Sequence, residues 1–506
     1  MIGLGAYALR AIAWPATVGR DLDEYVYAYL QLFDPHVLLP WSLLFRTPVT
    51  PLVAGSVLDL AGGFFVEPVL AVLYAFSIVA WSRVALVFGR RVALVTAVAL
   101  LLYQGYALMF HELSSEPMLA AAFAGFALAL ARAYERPTTG RFVLVGLAAS
   151  VTVLARPGSI VLLVFVFLPL ALRGTWRSRL RWSVAFTAAA LVPLALWTLH
   201  NGLRFDYWGL ARGGSAVIPF YRAFITDHIV RADNGPASRR LATAMQRDLL
   251  TREPYRAYGV TLDELFRKGS FRVHEDLYLL SDRDFGWDSN YAVVRKAGIE
   301  AVKAHPEAYA SGVVSTIWDE LSQAHFRVVS GTELVATPEP PRAGILPTPS
   351  EGEPIPPGQN AWIARPDGSI RQVWTSPTRY RFTFAKPGER DRFGAILRRR
   401  DELFEGLPDR NGRPGLALRL NQLSRWYPRP WQWIVVGLVA LAVRRPRGAL
   451  LLLALPLGAL LVVLVTALGL FTDLHFVLPV APAFVLLGVG ALLGPRPPRS
   501  AVEPAR

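Results

Sequence analysis

The chain contains no cysteine, so neither a disulfide nor a thiolate metal site can form, whatever compartment it folds in. Lysine is almost missing too, occurring only as Lys268, Lys296, Lys303 and Lys386, so arginine carries nearly all the positive charge. There is no Walker loop and no glycine-rich dinucleotide fingerprint in a strand–helix setting, which argues against a nucleotide sugar held in a soluble Rossmann domain. No internal repeat is visible. No basic strip with interleaved aromatics occurs, so nucleic acid is not an expected partner despite a formal net charge of +15. A clean cleavable signal is lacking as well: Arg10 interrupts the first apolar stretch and no small-residue cleavage site stands out. Charge as a whole is scarce, at 18% of 506 residues against 53% hydrophobic, with a mean hydropathy of +0.34.

What the chain does have is long apolar runs, the mark of an α-helical polytopic membrane protein. Residues 1–18 read as a short first crossing, 64–88 as a full one, 92–110 as the next, and 117–131 as a fourth entered through Pro117. Ser114 or Ser115 is placed to cap that fourth helix. The stretch 142–172 would be about 46 Å long as one helix, too long for one crossing of a roughly 30 Å core. Arg156-Pro157-Gly158 divides it into two short helices. Residues 183–199 return. After a long polar segment come 434–443, 449–470 and 476–493, entered through an aromatic belt of Trp426, Tyr427, Trp431 and Trp433. Arginines cluster in alternate short loops, which gives about ten crossings with both termini cytoplasmic in an inner or plasma membrane.

The expected organisation is therefore an N-terminal transmembrane module (1–200), an extracytoplasmic, mostly helical domain (201–430), C-terminal transmembrane helices (431–495) and a cytoplasmic tail (496–506). Within the domain, 238–250, 297–324 and 395–423 have helical spacing, and 338–357 reads as an extended Pro/Gly/Thr-rich loop. This topology sorts Asp21, Asp23, Glu24, Glu112, Glu116, Arg156, Asp473 and His475 onto one outer face. Charges at the mouth of a membrane segment are costly to hold there and usually mark a site.

Gly19-Arg20-Asp21-Leu22-Asp23-Glu24-Tyr25 is the densest of these groups, followed by a surface-lying amphipathic run. One of its acids could remove a proton from a hydroxyl nucleophile, alone or beside a divalent cation such as Mg or Mn. The competing reading is a helix cap, with Asp21 or Asp23 at the N-terminus and Glu24 favoured by the helix dipole. Glu116 before Pro117 has the same two readings. Arg46 and Arg156 can clamp a phosphate with their planar forks, or simply snorkel or pair with a carboxylate. His475 reads as a structural hydrogen-bonder and Asp473 as a turn cap.

In order along the chain, Asp23-Glu24-Tyr25, Arg46-Thr47-Pro48-Val49-Thr50-Pro51, Ser115-Glu116-Pro117, Ala155-Arg156-Pro157, Ala304-His305-Pro306-Glu307-Ala308-Tyr309 and Phe476-Val477-Leu478-Pro479 form a series of short motifs. The series resembles the GT-C superfamily of polyprenyl-phosphate-dependent glycosyltransferases, especially its bacterial protein-mannosyltransferase-like and ArnT-like group. His475-Phe476 stands where that group usually carries Arg-Tyr. The resemblance implies a GT-C-like bundle and an inverting transfer of one sugar from a polyprenyl-phosphate donor to a hydroxyl of a glycan, lipid or protein acceptor. It makes Asp23 the base, with Asp21 or Glu24 as substitute. Glu116, with Glu112 and His111 in the same loop, would orient the acceptor or a metal. Arg156, Arg46 and His475 would face the donor phosphate, and membrane lipids would surround the whole. Two rivals are a transporter or flippase of lipid-linked glycans, which would favour internal repeats and broken helices at the midplane, and a non-catalytic envelope scaffold.

Overall fold

The computed structural model describes residues 1–19, 21–213, 218–251, 255–256, 259–268, 271–322, 361–363, 369–374, 380–405, 426–469 and 476–496, with scattered positions between 407 and 422. The protein is an α-helical membrane protein. Among the described residues four helices are long and apolar enough to cross a bilayer: Gly63–Phe88, Ser115–Glu135, Trp176–Phe205 and Ala449–Gly469.

The N-terminal elements in order are α1 (Ile2–Ala11), β1 (Thr17–Val18), α2 (Leu22–Gln31), α3 (Pro40–Leu44), α4 (Val49–Ser56), α5 (Val66–Ala85), α6 (Arg90–Leu102), α7 (Gln104–Met109), β2 (Glu112–Leu113), α8 (Ser115–Glu135), α9 (Thr139–Ala155) and α10 (Trp176–Phe205). Their packing follows membrane rules. Large apolar side chains such as Val72, Phe76, Leu94, Leu144 and Val192 are exposed, while small residues line the helix–helix contacts. At Gly146 a Cβ would lie 2.3 Å from the Phe186 carbonyl oxygen, so α9 and α10 approach backbone to backbone. The basic loops do local work as well. Thr138 and Thr175 cap α9 and α10 by accepting from Arg141 N–H and Ser178 N–H, and the Arg141 guanidinium closes the C-terminus of α8 at Arg132 and Arg136.

The division at Arg156-Pro157 is as expected. α9 ends at Ala155, and residues Pro157–Ala171 continue as a 3₁₀ helix of 15 residues. At about 2 Å rise per residue, this tighter winding covers roughly 30 Å, a bilayer core's thickness, where the same residues as an α-helix would fall short.

Two expected helices, 92–110 and 297–324, need correction. The stretch 92–110 is not one helix: Tyr103 is extended and separates α6 from α7. Arg10 makes this break tenable. Its guanidinium donates to the Leu101 carbonyl freed by the break and to Gln104 Oε1 at 2.9 Å, so a charge that spoils α1 as a crossing satisfies another helix's backbone. α1 itself has 10 residues, about 15 Å, half a crossing.

The polar segment contains α11 (Phe220–Ile225), α12 (Pro236–Ala244), α13 (Ala292–Ala304) and α14 (Pro306–Ser322) around a core of its own that includes Phe224, Leu241, Met245, Leu280 and Ala297. Pro306 starts α14, so the expected 297–324 helix is two helices. This mostly helical segment also holds strands. Beside the helices stands an antiparallel sheet in the order β3 (Ala361–Ile363), β4 (Ile370–Trp374) and β5 (Tyr380–Phe384), which the mostly helical expectation did not include. The expected loop 338–357 lies outside the described residues. α15 (Pro387–Glu405) follows the sheet, then α16 (Pro430–Arg444), α17 (Ala449–Gly469) and α18 (Pro482–Leu493).

Two clasps fix this segment to the bundle. α15 lies over α2: Arg392 pairs with Asp34, Arg399 pairs with Asp59 at 2.6 Å, and Phe393 packs on Tyr27. Buried Arg222 pairs with Asp227 at 2.9 Å and donates at 2.9 Å to Thr316 Oγ1 and at 2.8 Å to the Ala467 carbonyl, where the Tyr309 hydroxyl also meets Leu468 O. The last carbonyls of α17 are thus capped from outside the bundle. Arg222→Met would leave Asp227 buried and unpaired. It is expected to cost about 3–5 kcal/mol, seen as a lower thermal midpoint than Arg239→Met at an exposed position of α12.

Candidate active site

A parallel ladder joins the two acidic loops. Thr17 pairs with Glu112 and Val18 with Leu113, and Thr17 N–H donates to His111 O at 2.9 Å. Gly19 continues this approach. A Cβ there would lie 2.6 Å from the Leu113 carbonyl oxygen and 2.7 Å from Ser114 Cβ. Gly19→Ala is therefore expected to push the loops apart at a cost of about 1–3 kcal/mol, checked by thermal unfolding and by loss of function disproportionate to the loss of fold.

The ladder sets the start of α2 against the start of α8. Asp21 sits at the N-terminus of α2 with φ of 57°, in the left-handed region where Asp is one of the few tolerated residues. It makes no side-chain cap bond. Its carboxylate pairs instead with Arg46 at 3.1 Å, and Glu24 binds the same guanidinium. The capping reading of Asp21 and Asp23 is thereby corrected. Burial opposes the charge on Arg46, but Tyr25, Glu24 and Asp21 outweigh it and raise its pKa above the usual range. Asp23 is exposed in the first turn of α2 and makes no ion pair among the described residues.

Tyr25 joins this group to the next. The Arg46 guanidinium lies 5.1 Å over its ring, and its hydroxyl is hydrogen-bonded to the Ser115 side chain. Burial raises the Tyr25 pKa, with Asp21 and Glu116 adding to it and Arg46 opposing. Glu116, buried in the first turn of α8, lies 3.5 Å from Arg156 Nη1. Arg156 stands at the end of α9 with its guanidinium 4.5 Å over the Phe476 ring. Because α8 and α9 are antiparallel neighbours, the start of one and the end of the other fall at the same end of the bundle. Thr50 ties the Arg46 segment to this turn, its Oγ1 donating to Ala155 O at 3.2 Å. Ser114 is the residue before α8, but its hydroxyl caps nothing.

Asp21, Glu24, Tyr25, Arg46, Ser115, Glu116 and Arg156 are thus linked by direct contacts. His111 is set apart: it stacks on Tyr7 at 4.2 Å, and burial followed by the nearby Arg10 lowers its pKa to about 3. A neutral, packed imidazole is placed as a wall rather than a charged ligand. Asp473 and His475 lie outside the described residues. Glu67 was not singled out by the sequence. This buried acid in the first turn of α5 accepts from Ala16 N–H at 3.3 Å and so anchors the approach to β1. A lone carboxylate at the head of an apolar run was the signal that could have found it.

Among the described residues several buried polar atoms here have no hydrogen-bond partner: Arg46 Nε, Ser114 Oγ, Ser159 Oγ and Arg156 Nη1, whose contact with Glu116 is an ion pair at 3.5 Å and not a hydrogen bond. Buried donors of this kind are uncommon and call for an explanation. Two of them are guanidinium N–H groups. A divalent cation fits the residues less well, since Asp21 and Glu24 are both engaged by Arg46. Among the described residues no group of three His, Asp or Glu is placed to hold a metal.

No family model matches the chain, and no curated protein matches it. Among solved structures, it is similar to one described as ArnT from Cupriavidus metallidurans bound to undecaprenyl phosphate. The identity is 13% and the TM-score 0.35, over 97% of this chain and 76% of that one. At that similarity the geometry of this chain has to carry the functional reading.

Proposed function

We propose that the protein is a GT-C-type membrane glycosyltransferase that moves one sugar from a polyprenyl-phosphate donor to an acceptor hydroxyl. The reaction face is the outer one of the inner or plasma membrane, with both termini cytoplasmic and the 201–430 segment extracytoplasmic. The observation that carries the reading is the gathering of two arginines, Arg46 and Arg156, beside an exposed carboxylate, Asp23, that makes no ion pair among the described residues.

Asp23 takes the proton of the acceptor hydroxyl as that oxygen attacks the anomeric carbon from the face opposite the phosphate. Asp21 and Glu24 are both held by the Arg46 guanidinium, whereas Asp23 is left to face the acceptor. The bond from the anomeric carbon to the phosphate oxygen breaks, and the polyprenyl phosphate leaves with one more negative charge. Arg156 and Arg46, each about one-fifth exposed, balance that charge as fixed cations. Glu116 holds Arg156 in place, and Tyr25 and Ser115 hold Glu116 and Arg46 in register. No step here passes through a metal.

The break at Tyr103 is a feature a transporter would also use. It is tied shut by Arg10, whereas transport needs a hinge that moves. The test is to incubate the full chain in nanodiscs with a panel of polyprenyl-phosphate sugars and a membrane glycan, lipid or protein extract, and to follow release of polyprenyl phosphate. One donor is expected to react. No release with any donor, together with movement of labelled lipid between leaflets in vesicles, would replace the enzyme by a transporter.

A further inference from the structure

A cavity of about 390 Å³ opens at the far end of α2, away from the Asp21–Arg156 cluster. Its walls include His36, Arg204, Phe205, Lys386, Glu389 and Arg392. Arg204 donates to the Leu32 carbonyl at 2.6 Å and to the Asp34 carbonyl, so its guanidinium is steered by backbone rather than neutralised by a carboxylate. Arg392 pairs with Asp34, and Lys386 lies 3.9 Å from Glu389. Three permanent cations thus face two carboxylates. α15 begins at Pro387, so the positive end of that helix also points to this rim.

The level of the cavity is set by α10. Arg204 is in the last turn of that spanning helix. Beside it Leu203 is 74% exposed and Trp208 63%, and Phe33, next to Asp34, is 76% exposed. Large apolar side chains left bare at the end of a spanning helix face lipid at the interface, where tryptophan is enriched and phosphates lie. A volume of this size suits one small headgroup or sugar-sized ligand.

We propose that this cavity is a phosphate-binding site at the membrane interface, occupied by the phosphodiester headgroup of an anionic lipid and separate from the transfer site. Arg204 and Arg392 supply the fixed side of the cradle. Lys386, on an exposed stem at the rim, supplies the side that closes on the headgroup. The same chemistry would accept a soluble phosphate ester, and the two sources differ in one respect: only the lipid is held by its chains against Phe33, Leu203 and Trp208.

The test uses the full chain in phosphatidylcholine nanodiscs with increasing phosphatidylglycerol, the retained lipids being counted by native mass spectrometry. Preferential retention of phosphatidylglycerol is expected. Lys386→Gln should weaken it about fivefold, the contribution of one basic residue near an anionic surface, and Lys386→Glu further. Arg90→Gln, an exposed change at the opposite end of the bundle, should leave it unaltered. Displacement of the retained phosphatidylglycerol by glycerol phosphate would assign the site to soluble phosphate esters, and resistance to it would assign the site to the lipid. Equal retention of both lipids, or equal loss in Arg90→Gln and Lys386→Glu, would overturn the proposal. Arg204→Gln, scored the same way, adds a wall residue whose thermal midpoint is read in parallel.

Discussion

Replacing Asp23 with Asn is expected to slow sugar transfer by about 10²–10⁴-fold, the usual contribution of a positioned general base, with little change in donor binding. Asn keeps the size and polarity of the side chain. Asp23 is exposed and carries no ion pair among the described residues, so the fold should be untouched. Thermal unfolding of the variant should match wild type. The neighbours behave differently on the same physics. Asp21→Asn and Glu24→Gln each remove one of the two carboxylates around Arg46, so they should disturb the position of that guanidinium and raise the donor concentration needed. A kcat effect for Asp23 and a KM effect for the other two is the expected split. If Glu24→Gln abolished turnover and Asp23→Asn did not, the base would be Glu24.

Arg156→Gln carries the second large effect, a fall in kcat/KM of about 10²–10³-fold, the range found when one donor to a developing anion is removed. It also removes the Arg156 contact from Glu116. Glu116 is only 5% exposed and Arg156 20%, so losing this contact has a stability cost that solvent relieves in part. Arg156→Gln combined with Glu116→Gln separates the two consequences. The double variant should recover the thermal midpoint, because the buried carboxylate charge that faced Arg156 is removed with it, yet remain as slow as the single one. Recovery of both would make Arg156 a structural partner of Glu116 and nothing more. Arg156→Lys should restore charge without the planar fork over Phe476 and so recover activity only in part.

The membrane class and the division at Arg156-Pro157 were legible in the sequence because they depend on properties that repeat along the chain, namely apolar length and the alternation of basic loops. The placing of Asp21, Arg46, Glu116 and Arg156 at one end was legible for the same reason. Their partners were not. That Asp21 turns to Arg46 rather than to its own helix follows from a left-handed backbone at Asp21 and from the β1–β2 ladder, two non-local facts with no periodic signature. The break at Tyr103 was hidden because an apolar run reads alike whether its backbone is continuous or not. Arg10, the residue that permits it, lies 91 positions from the carbonyl it satisfies. The strands β3–β5 are short and follow a Pro-rich stretch, so neither length nor alternation distinguished them from loop. Glu67 was a single acid in an apolar context, without a second residue nearby to give it a pattern.

A polyprenyl phosphate bearing a photoreactive group beside its phosphate, cross-linked to the full chain in nanodiscs and mapped by peptide mass spectrometry, bears most directly on the site. Label is expected on the Arg156–Ser159 turn and the first turn of α8, and it should be lost in Arg156→Gln. Label confined to the lipid-facing side of α10, at the same level in wild type and variant, would contradict a polyprenyl-phosphate site between Arg46, Glu116 and Arg156.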